Sequence, residues 1–293
     1  MFAPVKRYKC QHYRCNWTGF SVSLIDQVTT PTNGQGEIVQ DKAIQNSPVV
    51  PSVKPIVADA PPVIANNPPK RSELQVLEKS LQQSLKNGEF SIQYQPKVNI
   101  ENNDITGMEA LLRWNHPTNG SISPAKFIPL VEEYDLILTI GEWMLNKVCL
   151  QVKRWQKQGL SPLTISVNLS MKEFYQPSLT SMIDKVLVES GLNPHCLELE
   201  VSESTVMQNV ESAKKVLSDL QALGVQVAID DFGTGNSSLL DLRQFALNTL
   251  KIDQSLIHKL KVGSKKDIGT IQSCLSLAQG LKCRVVAEGV ETS

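Results

Sequence analysis

Apolar, strand-like runs alternate with amphipathic helical segments along the C-terminal part of this 293-residue chain. The strand-like runs are LTISVN, CLELEV, VQVAIDDF, NTLKID and CRVVAEG. Strands that are apolar on both faces are typical of a parallel sheet covered by helices. Repeated strand–helix units therefore predict an α/β fold, and six or seven such strands favour a closed TIM-type (β/α) barrel over an open sheet.

Composition divides the chain into three parts. Helical patterning begins at Ser72, a candidate N-cap with Gln75 at the capping-box position, so we assign residues 72–293 to the barrel domain. Residues 29–71 are rich in proline and lack sustained periodicity, which indicates a flexible linker. Residues 1–28 form a small segment that contains two cysteines.

Individual elements of the barrel domain can also be predicted. FSIQYQPKVNI and ITGMEALLRW are typical of a β-hairpin, since Asn102, Asn103 and Asp104 supply a turn between them. Asn87-Gly88 ends the first helix. Further helices are expected at about residues 179–189, 210–223 and 237–242, and a long one ends near Gln279.

Most of the predicted strands end in a polar side chain. The residues at these ends are Glu109, Asn168, Glu200, Asp230, Asp231, Lys251 and Glu288. In a parallel barrel the C-terminal strand ends form one rim, where catalytic groups from separate strands meet. A single acid at such a position could merely cap the next helix, but the whole set is better explained by a shared site.

The residue types at this rim indicate a divalent metal. Converging carboxylates raise one another's pKa unless a cation neutralises them. Oxygen ligands suit Mg²⁺ or Mn²⁺, whereas zinc would call for His or Cys. Asp230 and Asp231 can both face the rim only where their strand ends, and one could then bridge two ions. Lys251 could orient or help deprotonate a metal-bound water, or it could form a salt bridge with a neighbouring acid.

The cysteines fall into two groups. Cys10 and Cys15 lie on either side of His12 and could form half of a zinc knuckle, shared between two chains. No second cysteine pair follows nearby, so a free-thiol remnant or a fragment of a larger module remains the alternative. Buried, reduced thiols are expected in the apolar segments that contain Cys149, Cys196, Cys274 and Cys283.

Charge and hydropathy exclude several classes of function. The 29 basic and 29 acidic residues leave no overall field to attract a nucleic acid polymer or an anionic membrane. No apolar run approaches the roughly 20 residues of a membrane span, and the N-terminus lacks the apolar stretch of a signal peptide. We therefore expect a cytoplasmic protein that holds any anionic ligand by local chemistry.

At its strand ends the chain resembles the EAL-domain family of cyclic di-GMP phosphodiesterases. The similar motifs occur in order from residue 74 to residue 293. They are YQP, MEALLRW, SPAKFIPLVEE, IGEW, SVNLS, LELEVSES, AIDDFGTG, TLKID and VVAEGVET, and Glu109-Ala110-Leu111 is the motif that names the family. The resemblance implies a TIM-type barrel that hydrolyses cyclic di-GMP to linear pGpG, and a homodimer, because EAL barrels commonly pair.

The resemblance also implies a role for each site residue. Glu109, Asn168, Glu200 and Asp230 match the ligands of a first metal ion, and Asp230 and Asp231 match those of a second. Lys251 and Glu288 match the positions that hold and activate the attacking water. Glu203 matches the acid that anchors the loop beside the two aspartates. Gln95, Leu111 and Arg113 match positions that bind the cyclic dinucleotide.

The chain ends earlier than the family pattern does. The family continues through another helix, an eighth strand and a closing helix, so we expect a barrel without its last βα unit and with two exposed strand edges. An active phosphodiesterase is one function that fits. A catalytically inactive or truncated EAL module, binding cyclic di-GMP or a protein partner, is another. The N-terminal segment could also make this an anchored or partner-regulated protein.

Overall fold

The computed structural model describes residues 21–24, 81, 83–233, 242–259 and 265–290. The strands of this part of the chain are β1 Ser21–Leu24, β2 Phe90–Asn99, β3 Ile105–His116, β4 Gly120–Ile122, β5 Thr164–Leu169, β6 Leu197–Ser202, β7 Gln226–Phe232, β8 Thr249–Ile252 and β9 Arg284–Ala287. The helices are α1 Pro124–Glu133, α2 Leu136–Lys157, α3 Met171–Phe174, α4 Leu179–Ser190, α5 Glu203–Gln208, α6 Val210–Ala222, α7 Gln254–His258 and α8 Lys265–Leu281, with a 3₁₀ turn at Pro194–Cys196.

Eight of these strands form a closed ring. Their order is β2-β1-β9-β8-β7-β6-β5-β3, and pairing of β3 with β2 completes the circle, while β4 extends the sheet beyond β3. From β3 through β5 to β9 all neighbouring strands are parallel, whereas β2 is antiparallel to β3. Parallel neighbours bring the C-terminal ends of β3 and β5–β9 to one end of the barrel, which we call the rim.

The core lies between the sheet and the surrounding helices. Helix α2 buries one face along its length, including Ile140, Val148 and Val152. Gly191 ends helix α4 with a φ of 64°, which a residue without a Cβ adopts easily. The helices that connect β5 to β6 lie outside the sheet. Polar side chains occupy the alternate positions of these strands that face the barrel interior.

The predicted elements are confirmed over most of the described residues. The hairpin, the barrel strands and the helices near residues 179–189 and 210–223 all occur at the expected places, and the long helix extends to Leu281. The four cysteines of the apolar segments are free; three are buried and Cys283 is half-buried. The first predicted helix and the one at 237–242 lie largely outside the described residues, as does the linker.

The expectation of two exposed strand edges is wrong for this structure. The edges of β2 and β9 both pair with β1, which comes from the N-terminal segment that we had separated from the barrel. Pairing satisfies main-chain hydrogen-bonding groups that an open edge would leave exposed, which is the physical reason for an extended segment to occupy this position.

Candidate active site at the barrel rim

Lys251 lies at the centre of the rim residues and is 1% exposed. Its Nζ is 2.7 Å from Glu288 Oε1, 3.1 Å from Asp230 Oδ2 and 3.5 Å from Glu109 Oε2, and it also donates a hydrogen bond to Glu200 Oε2. We call these five residues the rim cluster. One ammonium group therefore faces four carboxylates, three at or near the C-terminal ends of β6, β7 and β9 and one, Glu109, inside the longer strand β3. This leaves an excess of negative charge when all of them are ionised.

The electrostatics of the rim cluster reflect that excess. Burial and the neighbouring Glu200 raise the pKa of Glu109 to about 7. Burial also raises the pKa of Glu288, although Lys251 opposes this change. Burial lowers the pKa of Lys251, but the surrounding carboxylates outweigh it and hold the pKa well above its ordinary value. Lys251 is therefore an ammonium ion at neutral pH. Ionising all four carboxylates around it costs free energy, as the raised pKa values of Glu109 and Glu288 indicate.

Asn168 completes the rim on the side of β5. Its Nδ2 donates a hydrogen bond of 2.8 Å to Glu109 Oε1, and its backbone lies opposite Glu200 in the register of β5 and β6. Because the amide Nδ2 is used by Glu109, its carbonyl oxygen is the atom with which Asn168 could contact a cation.

Asp230 and Asp231 lie where β7 departs from regular geometry. The pairing of β7 with β8 shifts register between Ile229 and Phe232, and Asp231 has a φ of 55°. Asp231 N–H donates to Asp230 Oδ1 over 2.9 Å. Burial raises the pKa of Asp231, and the charge of Asp230 adds to the effect. In a regular strand, consecutive side chains point to opposite faces, so two consecutive acids can both lie at the rim only where the strand is irregular.

Glu203 fixes the chain immediately after β7. Its side chain is buried, and Oε2 accepts a 3.1 Å hydrogen bond from the Gly233 N–H. Gly233 has a φ of 93°, and a Cβ atom there would lie 2.6 Å from Leu256 Cδ1. The backbone conformation therefore favours glycine, and any larger residue would also have to displace the Leu256 side chain. The loop that follows, at residues 234–241, lies outside the described residues.

The predicted dinucleotide-binding residues lie on the β2–β3 hairpin. Gln95 is opposite Glu109 in the register of this pair, and Leu111 and Arg113 follow Glu109 at alternate positions, which places them on the same face of β3. Arg113 Nε donates a 2.8 Å hydrogen bond to Gln93 Oε1. Gln93 was not predicted from the sequence, and its contact holds the guanidinium group beside the rim.

A second polar cluster lies deeper in the barrel, and sequence reasoning missed it. Lys97 Nζ is 2.9 Å from Glu198 Oε1 and 2.7 Å from Glu200 Oε1, and it also donates to Ser166 Oγ. Lys97 is 4% exposed. Glu200 therefore uses one carboxylate oxygen for this lysine and the other for Lys251, so that it links the two levels of the barrel.

Glu198 is the acceptor at the centre of this deeper cluster. It accepts hydrogen bonds from Ser166 Oγ at 2.7 Å, Thr249 Oγ1 at 2.6 Å and Arg284 at 2.9 Å. Burial alone would raise its pKa, but Lys97 and Arg284 outweigh burial and hold the pKa at about 2. We call the residues around this carboxylate the lower cluster, namely Lys97, Ser166, Glu198, Thr249 and Arg284.

The rim contains suitable ligands for a metal ion but not a preformed coordination group. Within the described part of the chain, no three His, Cys, Asp or Glu side chains are arranged together as a metal-binding cluster. The physical reason is Lys251, because its ammonium group lies between the carboxylates that a cation would contact. The oxygen-only donor set and its excess charge fit a hard divalent ion, provided that some carboxylates turn away from Lys251.

The structure brings most of the predicted site residues together. Those in one contact network are Glu109, Asn168, Glu200, Asp230, Lys251 and Glu288. Asp231 adjoins this network through Asp230, and Glu203 is linked to it through the backbone of Gly233. Cys10 and Cys15, considered above as zinc ligands, lie outside the described residues.

Comparison with known proteins shows which family this chain resembles. The family model described as EAL domain matches residues 78–293. MucR of Pseudomonas aeruginosa, a bifunctional diguanylate cyclase/cyclic di-GMP phosphodiesterase, is 41% identical over 222 residues, which cover 76% of this chain and 32% of MucR. The cyclic di-GMP phosphodiesterase NbdA of the same organism is 37% identical over 220 residues, covering 75% of this chain and 28% of NbdA.

Solved structures are similar over the same region. PaMucR phosphodiesterase in complex with c-di-GMP has a TM-score of 0.72 at 41% identity, covering 75% of this chain and 88% of that one. The EAL enzyme Bd1971, with cAMP and cyclic di-GMP bound, has a TM-score of 0.69 at 32% identity, covering 75% of this chain and 60% of that one.

The chain spans about a third of the length of the curated relatives it matches, or less. Among the helices that the structure describes, none combines the length and the apolar character needed to cross a membrane.

Proposed function

This chain belongs to the EAL domain family, and we propose that it is a divalent-metal-dependent phosphodiesterase that hydrolyses cyclic di-GMP to linear pGpG. The observation that carries the proposal is the rim cluster, in which four carboxylates face the buried ammonium group of Lys251 and only Glu200 has a second ammonium partner, Lys97. A site with that charge excess favours cations, and cations are what an anionic phosphodiester needs for close approach.

The residues that would hold the metal are those with carboxylate or amide oxygen atoms at the rim. Glu109, Asn168, Glu200 and Asp230 would bind one Mg²⁺ or Mn²⁺ ion, and Asp230 and Asp231 would bind a second. Bound divalent metal would supply Lewis acidity and positive charge at the phosphoryl oxygens.

Lys251 and Glu288 would divide the handling of the attacking water between them. Lys251 is protonated at neutral pH, so its Nζ can donate a hydrogen bond to the water but cannot take its proton. Glu288 Oε1 lies 2.7 Å from Nζ and has a raised pKa, so this carboxylate is the group that can accept the proton. The lysine thus orients the water and the glutamate acts as the base.

Substrate binding would involve the face of the β2–β3 hairpin above the rim. Arg113, held by Gln93, offers a guanidinium group for a phosphate or a guanine edge. Leu111 lies between Arg113 and Glu109 on β3, and Gln95 lies opposite Glu109 on β2; both would contact the dinucleotide beside the scissile bond.

Turnover by the full chain tests this function. With Mn²⁺ or Mg²⁺ and cyclic di-GMP, we expect pGpG to accumulate on chromatography, and Glu109→Ala to abolish the conversion because a metal ligand is lost. Glu133→Ala, which removes an exposed glutamate of α1, is the matched control and should leave the rate unchanged. Binding of cyclic di-GMP without any turnover by the parent chain would contradict the proposal and favour a binding module.

A further inference from the structure

The carboxylate of Glu200 uses its two oxygen atoms in opposite directions. Oε1 lies 2.7 Å from Lys97 Nζ, on the side of the lower cluster, and Oε2 accepts a hydrogen bond from Lys251 at the rim. Glu200 is 1% exposed, so bulk water does not compete for either oxygen. Among the described residues, the other three carboxylates around Lys251 have no second ammonium group within ion-pair distance. Glu200 is therefore the rim carboxylate whose orientation is fixed from deeper in the barrel.

Lys97 is itself held in place by its surroundings. An ammonium group carries three N–H donors, and the acceptors around Nζ are Glu198 Oε1 at 2.9 Å, Glu200 Oε1 at 2.7 Å and Ser166 Oγ. Glu198 is held in turn by Arg284 Nη2 at 2.9 Å. Because Lys97 is buried, giving up one of these acceptors would leave part of its charge unpaired, which is costly. The contact with Glu200 Oε1 should therefore persist when an ion enters the rim.

The number of oxygen atoms that a carboxylate can offer affects which divalent ion it prefers. Ca²⁺ takes a larger and more flexible set of oxygen ligands and readily binds a carboxylate through both oxygens, whereas Mg²⁺ demands near-octahedral geometry. Mn²⁺ also suits octahedral oxygen sites. A carboxylate with one oxygen held by an ammonium group can offer only the other to a metal. Such a ligand favours the octahedral ions over Ca²⁺.

We propose that Lys97 is a positioning residue that selects the metal ion: it holds Glu200 Oε1, leaves only Oε2 for the ion, and so favours Mg²⁺ or Mn²⁺ over Ca²⁺ at the rim. The inference rests on the proposed function, because it takes Glu200 as a metal ligand. Lys97 lies deeper in the barrel than the rim and acts through Glu200, without touching the ion or the substrate. The lower cluster thus contributes to metal selectivity in addition to stability.

Equilibrium competition between two ions tests the selectivity. Free Mn²⁺ is followed by its electron paramagnetic resonance signal while Ca²⁺ is added to the full chain, which gives the ratio of the two affinities without any turnover. In Lys97→Met both oxygens of Glu200 are open to the ion. We expect the affinity for Ca²⁺ relative to Mn²⁺ to rise by about tenfold, a usual size for an effect transmitted through a ligand's hydrogen-bond partner. An unchanged ratio overturns the proposal.

Arg284→Met is the matched control for that experiment. Arg284 contacts Glu198, so this variant removes a positive charge from the same cluster but leaves Lys97 and Glu200 paired. The loss of one charge acts on both dications alike, so the ratio of affinities should stay at the parent's value. An equal shift in the two variants would mean that the charge of the cluster, and not the hold on Glu200 Oε1, sets the ratio, and it would overturn the proposal.

A crystal structure of the parent chain with Mn²⁺ decides the case even if Lys97→Met does not fold. We expect Glu200 to bind the ion through Oε2 alone, with Oε1 still within hydrogen-bonding distance of Lys97 Nζ. An ion at the rim that Glu200 binds through both oxygens, through Oε1, or not at all overturns this inference and leaves the metal-dependent phosphodiesterase standing. A rim that takes up no Mn²⁺ overturns the inference and the proposed function together.

Discussion

The two polar clusters inside the barrel differ in how their charge is balanced. In the lower cluster, Glu198 receives two cations and two hydroxyl donors, and its pKa is held at about 2. In the rim cluster, one lysine serves four carboxylates, and the pKa of Glu109 rises to about 7. The same barrel thus buries charge at both levels, but only the lower level is neutralised by the protein itself. A buried cluster that the protein balances is structural, and one that it leaves negative is a place for an added cation.

Lys97→Met removes a cation from the lower cluster, whose charge the protein balances, and should have the largest effect on stability. It leaves Glu198 and Glu200 buried without their shared ammonium partner, which should lower the free energy of unfolding by about 3–5 kcal/mol. Denaturant unfolding measures the change. Lys172→Met is the control, because its ion pair with Asp135 is exposed and should contribute less than about 1 kcal/mol. A loss no larger than the control's would mean that the lower cluster is not structural.

Lys251→Met tests whether the rim accepts an external cation in place of its lysine. With the ammonium group gone, the carboxylates are free to bind metal, so Mn²⁺ should raise the melting temperature of this variant more than that of the parent. Binding at 100 times Kd stabilises a protein by about 2.7 kcal/mol. Turnover should be lost, because the water is no longer oriented.

Lys97→Met is the comparison for that experiment. Mn²⁺ should not stabilise it beyond the parent's response, since the lower cluster lacks the open rim position that an ion would enter. Equal rescue of both lysine variants would show that the two clusters do not differ in the way described.

The pH dependence of stability should have opposite signs at the two levels, with a smaller effect than either lysine replacement. The folded pKa of Glu109 is about 7 against an ordinary 4.5, so the metal-free folded state holds this proton more tightly. Its stabilising contribution is complete below pH 4.5 and is lost as the pH rises through 7. Glu109→Gln should flatten unfolding stability over that interval, measured by denaturant titration at each pH.

Glu198→Gln supplies the opposite case. The folded pKa of about 2 lies below the ordinary 4.5, so the contribution of Glu198 is present above pH 4.5 and is lost as the pH falls toward 2. This variant should flatten the acid side of the stability profile and leave the interval from pH 4.5 to 7 as it is in the parent. A change on the neutral side alone would contradict the assignment.

The rim could be predicted from the sequence because its residues end apolar strands. Asn168 and Glu200 each close a run that reads as a buried strand, and parallel strands bring such ends together. The irregularity at Asp230 and Asp231 could also be anticipated, because two consecutive acids at one edge require it.

The lower cluster could not be predicted in this way. Glu198 lies between Leu197 and Leu199 in the run CLELEV, and this alternation alone does not show whether the glutamate faces solvent or the barrel interior. Here the polar face lines the barrel interior, where only the distant partners Lys97 and Arg284 make a charge acceptable. Alternation in the sequence shows that the two faces of a strand differ in polarity, but it does not show which face lies inside the barrel.

Strand β1 gave no usable signal either, because four residues with alternating valine and serine are too short to distinguish from a linker. Its pairing depends on edges that form far away in the sequence. Strand β1 lies within residues 1–28, the part of the chain that the sequence analysis describes as a small segment with two cysteines.

The position of β1 also bears on how this chain folds. Its two partners are β2 of the β2–β3 hairpin and the last described strand, β9, so the ring joins residues that are far apart in the sequence. Contacts between such distant residues form late, because closing a long loop costs entropy before the hydrogen bonds of the pairing can stabilise it. During synthesis, Ser21–Leu24 leaves the ribosome well before β9 and cannot pair with its final partner until β9 has emerged. Among the described strands, the first to be synthesised is thus the last to pair, and barrel closure becomes the step at which chaperones or aggregation would compete with folding.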